Sequence, residues 1–306
     1  MMQSVSPQIL VGTRDGLWRI KGDTIEPEET FAGRTVTALA ADGARTGALE
    51  DGRTIWAGDG SMWQERASLE GPDGTCLALS SGALLIGTEE AHLFCLPDAL
   101  ERIEAFESVE GRGSWYTPWG DPAALRSIAI AAGGPIYVNV HVGGIVRSRD
   151  GGRSWSPTVD IEADVHQVLA HPTRADVVLV AAFAGFGVSC NGGDSWEFIT
   201  SGMHAHYSRA VATSDASVLI SASTGPRGHR SAIYRKPLDE NTGFVRCRDG
   251  LPEWFDDNID TACLAAAGRL AVFGTRDGRV FRSLDGGERW HLFTEGLPAI
   301  ECVTIG

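Results

Sequence analysis

Ser148-Arg149-Asp150-Gly151-Gly152-Arg153-Ser154-Trp155, Ser189-Cys190-Asn191-Gly192-Gly193-Asp194-Ser195-Trp196 and Ser283-Leu284-Asp285-Gly286-Gly287-Glu288-Arg289-Trp290 are three copies of one pattern, S-x-[DN]-G-G-x-x-W. Its chemistry is that of a hairpin turn. The Asp or Asn oxygen accepts backbone N–H groups, the glycines take positive φ, and the Trp covers the apolar face of the next strand. A second repeat, Gly12-Thr13-Arg14-Asp15-Gly16, Gly87-Thr88-Glu89-Glu90-Ala91 and Gly274-Thr275-Arg276-Asp277-Gly278, leads into apolar runs about one strand ahead of the first. Together the two repeats set a register of four-stranded units.

The alternating apolar runs that open each unit lie near Thr35, Gly74, Leu125, Asp164, Tyr207, Ile259 and Glu301, at the roughly 40–50-residue spacing of propeller blades. The reading is an all-β chain: a single seven-bladed β-propeller of four-stranded blades over residues 1–306. Its first blade begins at Ile9 with the second strand, and Glu301–Ile305 supplies the missing inner strand, so the closed ring leaves no terminal edge open. Chain removal from Pro298 onward is expected to destabilise the whole ring.

The first repeat resembles the Asp-box, or BNR, repeat of sialidase-like propellers, sortilin-type domains and plastid-type photosystem II assembly factors. Its third copy departs from that pattern in having Arg289 where Ser or Thr is common. The resemblance implies a propeller fold with the boxes between third and fourth strands, opposite the usual ligand face, and hence structural. It also invites a sialidase-type glycoside hydrolase reading, which the residues disfavour. No R-I-P motif occurs, Tyr207 has no evident Glu partner, and Arg126, Arg209 and Arg227 match the arginine set only in part.

Composition narrows the partners. Thirty-eight glycines, nine tryptophans and 43% hydrophobic residues in 306 suit a turn-rich β architecture rather than a disordered chain. A net charge of −14 argues against a phosphate-backbone binder, so no nucleic acid is expected. Neither an apolar run of about 18 residues nor a basic segment followed by an apolar one within Met1–Leu17 is present, so the expectation is no membrane and a cytoplasmic location. The six cysteines form no C-x-x-C pair and read as buried free thiols.

Histidine placement points to one rim. His141 and His229 fall in loops joining second to third strands, and His166, His204 and His206 in loops leading into inner strands; both loop classes face the same end of a propeller. Asn139 and His141, Asp164 and His166, and His204 and His206 are each two residues apart, so in extended chain each pair points one way. His141, His166, His204 and His206 are therefore candidate ligands of a divalent transition metal (Zn, Mn, Fe, Ni or Cu), with Asp164 or Asp260 as base or orienting carboxylate. The competing reading is a rim of histidines bonded to neighbours or water. Trp115, Tyr116, Trp119, Tyr207 and Trp254 are candidate pocket walls, and Arg126, Arg209 and Arg227 candidate holders of a carboxylate or phosphate. The expectation is a central mouth at blades 4 to 7 for a small polar or anionic ligand, used by a metal-assisted hydrolase or lyase. A non-catalytic propeller that binds a protein partner or ligand is the alternative.

Overall fold

In the computed structural model, residues 7–306 are described, except Ser61 and Ala216. Residues 1–6, part of the N-terminal stretch read above, lie outside the described residues. Seven four-stranded antiparallel sheets are arranged as blades around a channel. The strands facing the channel are Ile300–Ile305 (blade 1), Val36–Asp42, Gly74–Leu79, Leu125–Ile130, Val165–Ala170, Val211–Thr213 and Leu264–Ala267 (blade 7). Those of blades 6 and 7 start later than the sequence pattern suggests. In blade 6 the Ser221 hydroxyl accepts from the amides of Arg209 and Ala210 and donates to Ile259 O. A side chain thus replaces the first ladder bonds. Among the described residues, no helix is long and apolar enough to cross a membrane.

Blade 1 is closed as expected: Ile9–Thr13 pairs with Ile300–Ile305, and Gln8 and Gly306 exchange backbone hydrogen bonds of 3.0 and 2.9 Å. Between blades, apolar faces interlock. Phe273, Phe281 and Trp290 of blade 7 pack with Leu219 and Ile233 of blade 6.

The three S-x-[DN]-G-G-x-x-W segments are turns between third and fourth strands. Because strands alternate in direction, these turns lie at the end opposite the loops that lead into inner strands. In the first, Asp150 Oδ1 accepts the amides of Arg153 and Ser154, its Oδ2 accepts the Ser154 hydroxyl, and Ser148 Oγ accepts the Gly152 amide. Arg289 fits the third copy because its Nε–H reaches Asp285 Oδ2 at 3.0 Å, taking the place of the serine hydroxyl. Cys76, Cys247, Cys263 and Cys302 are buried free thiols, and burial pushes Cys76 up to about 12. Cys190 corrects the cysteine reading: it is exposed, since the x position of its turn faces outward.

The inner strands share a device that matters for the site. At the start of five of them the ladder slips by one residue, leaving Thr37, Thr75, Arg126, His166 and Glu301 as the extra residue of a β-bulge. A bulge re-aims its extra side chain out of the sheet alternation. Thr37, Thr75, Arg126 and Glu301 thereby line the channel, while His166 is buried behind it.

Candidate functional site

The channel encloses about 920 Å³, and its upper wall is built from Arg126, Arg209, Arg276, Glu89, Asp260, His141 and Trp119. Deeper down, the polar side chains are engaged with the backbone. Gln167 spans two blades, exchanging bonds with Val211 and accepting the Ala262 amide, while the Thr261 hydroxyl contacts the carbonyls of His166 and Arg209. Free charge is therefore concentrated at the mouth.

Behind the mouth runs a line of imidazole and carboxylate. His166, 1% exposed, is held by its Nδ1 at 2.6 Å from the Ser208 carbonyl oxygen. A carbonyl only accepts, so Nδ1 carries the proton and Nε2 faces Asp164 Oδ2 at 3.6 Å. The other oxygen of Asp164 faces His141 Nε2, also at 3.6 Å, and has no hydrogen-bond partner. Asp164 takes a left-handed backbone (φ 43°, ψ 70°) after a short 3-10 turn over Ile161–Ala163, a strained conformation for a residue with a side chain. Burial alone would raise its carboxyl. His166, His141 and Arg126 together hold it below the ordinary value. Burial, reinforced by Arg126, pushes His141 down to about 4, so its ring is neutral at pH 7.

Tyr207 lies with its ring 4.9 Å from that of His166. Its hydroxyl accepts both Nε–H and Nη2–H of Arg209, at 3.2 and 3.0 Å, and Arg209 also pairs with Asp260. Burial works against the Arg209 charge, but Asp260 and Tyr207 keep its pKa above the usual value. Arg126 is different. Among the described residues its guanidinium has no ion pair and no side-chain hydrogen bond. Burial, with Arg209 nearby, lowers its pKa, and Asp260 and Asp164 only partly offset this. Arginine nevertheless stays protonated in proteins, so a charged guanidinium faces the cavity short of a counter-ion.

The candidates named from sequence divide into two groups. His141, His166, Asp164, Asp260, Arg126, Arg209 and Tyr207 come together at or just behind the mouth. His204 and His206 do not join them: His204 bonds Tyr234 Oη and packs 4.6 Å from Trp254, and His206 packs edge-on to Phe183. The two-residue spacing gave them a common direction in extended chain, but Ser201–His206 is turn and coil. Trp115 packs on Phe106 and under Arg112, Tyr116 is 43% exposed, and Trp254 is covered by Arg230 and Arg246. Arg227 is exposed and away from the channel lining. Trp119 is the aromatic that walls the mouth, 5.1 Å from the His141 ring. Among the described residues, no three His, Cys, Asp or Glu side chains converge as a ready-made metal centre.

Glu89 and Arg276 were not singled out from sequence, yet the signal was there. Both occupy the third position of the G-T-x-[DE] repeat, and the end of each second strand brings that position to the channel.

No protein-family model and no curated protein matches the chain. Among solved structures, an ancestral GH74 enzyme aligns over 97% of the chain with a TM-score of 0.65 and 14% identity; the chain spans 40% of that enzyme's length. YCF48 bound to a D1 peptide aligns over 91% of the chain and 87% of its own, with a TM-score of 0.60 and 13% identity. The GH74 xyloglucanase from Xanthomonas campestris covers 84% of the chain at TM-score 0.60 and 16% identity, the chain spanning 45% of it. At these identities the shared property is the seven-bladed propeller, which serves an enzyme in one neighbour and a peptide-bound protein in another.

Proposed function

We propose that the mouth of the channel binds a small anionic ligand through Arg126. The observation that carries this reading is the unpaired, half-buried guanidinium facing a cavity of about 920 Å³. A carboxylate or phosphate oxygen there would supply the missing counter-charge through charge-assisted bonds, each worth about 1.5–3 kcal/mol. Trp119 would lie against the ligand, and Arg209, already occupied by Asp260 and Tyr207, would hold the wall rather than the ligand. The test is calorimetric titration of inorganic phosphate and a panel of small carboxylates into the protein and its Arg126→Gln variant. At least one should bind, with affinity at least about tenfold lower in the variant. Equal binding by both proteins, or binding of none of the panel, overturns the reading.

His166 favours a second, chemical layer to this reading. With its proton committed to Ser208, its Nε2 and the Asp164 carboxylate face each other as two acceptors, which calls for a positive charge on or between them. A divalent cation shared with His141 would supply it. A ring nitrogen that donates to a backbone carbonyl is a common support for a metal-bound histidine. Such an ion would polarise a ligand oxygen or activate water, the chemistry of a hydrolase or lyase. Elemental mass spectrometry of untagged protein, set beside His166→Ala, tests this: near-stoichiometric metal lost in the variant supports the cation, and metal in neither overturns it. The kinship of the Asp150, Asn191 and Asp285 turns with Asp-box repeats belongs to this proposal too.

A further inference from the structure

The mouth also holds a charge of opposite sign that has no protein partner among the described residues, on a side chain open to solvent. Glu89 lines the cavity, and among the described residues its carboxylate has no ion pair and no side-chain hydrogen bond. Arg126 acts on its charge, yet among the described residues no ion pair or hydrogen bond joins the two. A carboxylate and a guanidinium thus face one space from different blades. Each is fixed by its own device: Arg126 by the bulge at the start of the blade 4 inner strand, Glu89 by the end of the blade 3 second strand.

The surroundings sharpen the contrast. Burial raises the Glu89 carboxyl above its ordinary value; Arg126 opposes that, and Asp73, Asp121 and Glu90 add to it. On the other side, Arg209 adds positive charge near Arg126. The mouth therefore has a carboxylate pole at blades 3 and 4 and, facing it, the Arg126 guanidinium of blade 4, since Arg209 is already paired with Asp260. A simple anion would satisfy Arg126 and leave Glu89 worse off. A simple cation would do the reverse.

Resting on the reading of Arg126 as an anion site, we infer that the ligand is a zwitterion of the amino-carboxylate class, its carboxylate on Arg126 and its ammonium on Glu89. One molecule then supplies both missing counter-charges, and the side chain of the ligand is left to face Trp119 or the channel below. The ammonium contributes up to three donors, which suits a pole of carboxylates; the carboxylate takes the guanidinium edge in the two-point geometry that arginine favours.

The experiment titrates free amino acids, their N-acetyl derivatives and their C-terminal amides into the unaltered protein, then into Glu89→Gln and Arg126→Gln. The expected result is that a free amino acid binds about ten- to a hundredfold more tightly than either capped form, the range of one charge-assisted bond. Glu89→Gln should erase the preference for the free amine, and Arg126→Gln should weaken free and N-acetyl forms alike. If an N-acetyl form binds as tightly as its free parent and both depend on Arg126, the zwitterion inference falls while the anion site stands. If no carboxylate depends on Arg126 the zwitterion inference falls, and if inorganic phosphate does not depend on it either, the anion site falls with it. The comparison of capped and free ligands is made on the unaltered protein, so it decides the matter even where a variant fails to fold.

Discussion

Asp150 illustrates how much one side chain does in this chain. Its two oxygens serve two amides and two hydroxyls within a single turn, chiefly the Ser154 hydroxyl with that of Ser148 beside it, and these donors hold its carboxyl down to about 2 from an ordinary 3.8. Asp285 is also held at about 2: burial opposes this, but the Arg289 amide and guanidinium and the Ser283 hydroxyl outweigh it. A depressed carboxylate stabilises the fold above the unfolded pKa and loses that contribution as pH falls through the folded one. Stability should therefore decline between about pH 4 and pH 2. Asp150→Asn, which imitates the Asn191 turn, should flatten that acid limb in thermal melts across pH, whereas an unchanged limb would show that the turn does not couple to acid unfolding. Asp150→Ala removes the acceptors altogether and should lower the denaturant midpoint at pH 7 further than Asp150→Asn does; equal midpoints would mean that water serves the freed amides as well as the side chain did.

Among elements, close approach decides which glycines are replaceable. A Cβ on Gly278 would sit 1.9 Å from the Leu297 carbonyl oxygen at φ +81°, while one on Gly296, at φ +82°, meets nothing within 4 Å. Both substitutions to Ala carry the left-handed strain of about 1 kcal/mol. Gly278→Ala must also displace backbone, so it should cost at least about 2 kcal/mol more than Gly296→Ala in paired chemical denaturation; equal losses would mean that the Leu297 segment yields freely. The same scale explains what the sequence disclosed. Blade spacing, the turn chemistry of the repeats and closure by Ile300–Ile305 follow from local patterns, and all are legible residue by residue. The site was half legible. Arg126, His141, Asp164 and His166 were found through loop class, but the bulges that aim Arg126 and His166 leave no mark in a period-two pattern. His204 was lost to Tyr234 and Trp254 because a coil gives no fixed direction to residues two apart. Glu89 and Arg276 were hidden inside a motif read only as a strand signal.

At the scale of the whole molecule, the ring stands on a contact between its two ends. Deleting residues from Pro298 removes the inner strand of blade 1 and exposes the Ile9–Thr13 edge, whose residues are all buried in the intact ring. Thermal unfolding of that truncated chain should shift down on the order of 10 °C or lose its single transition. A melt indistinguishable from that of the full chain would show that closure is dispensable. The closure also imposes an order in time. The ribosome delivers three strands of blade 1 first and the fourth only after the other six blades, so throughout synthesis the nascent chain carries an apolar edge that nothing in its own sequence has yet arrived to cover. Until Ile300–Ile305 is made, the Ile9–Thr13 edge is open to mispairing, so shielding of that edge during synthesis is expected to raise the yield of closed rings.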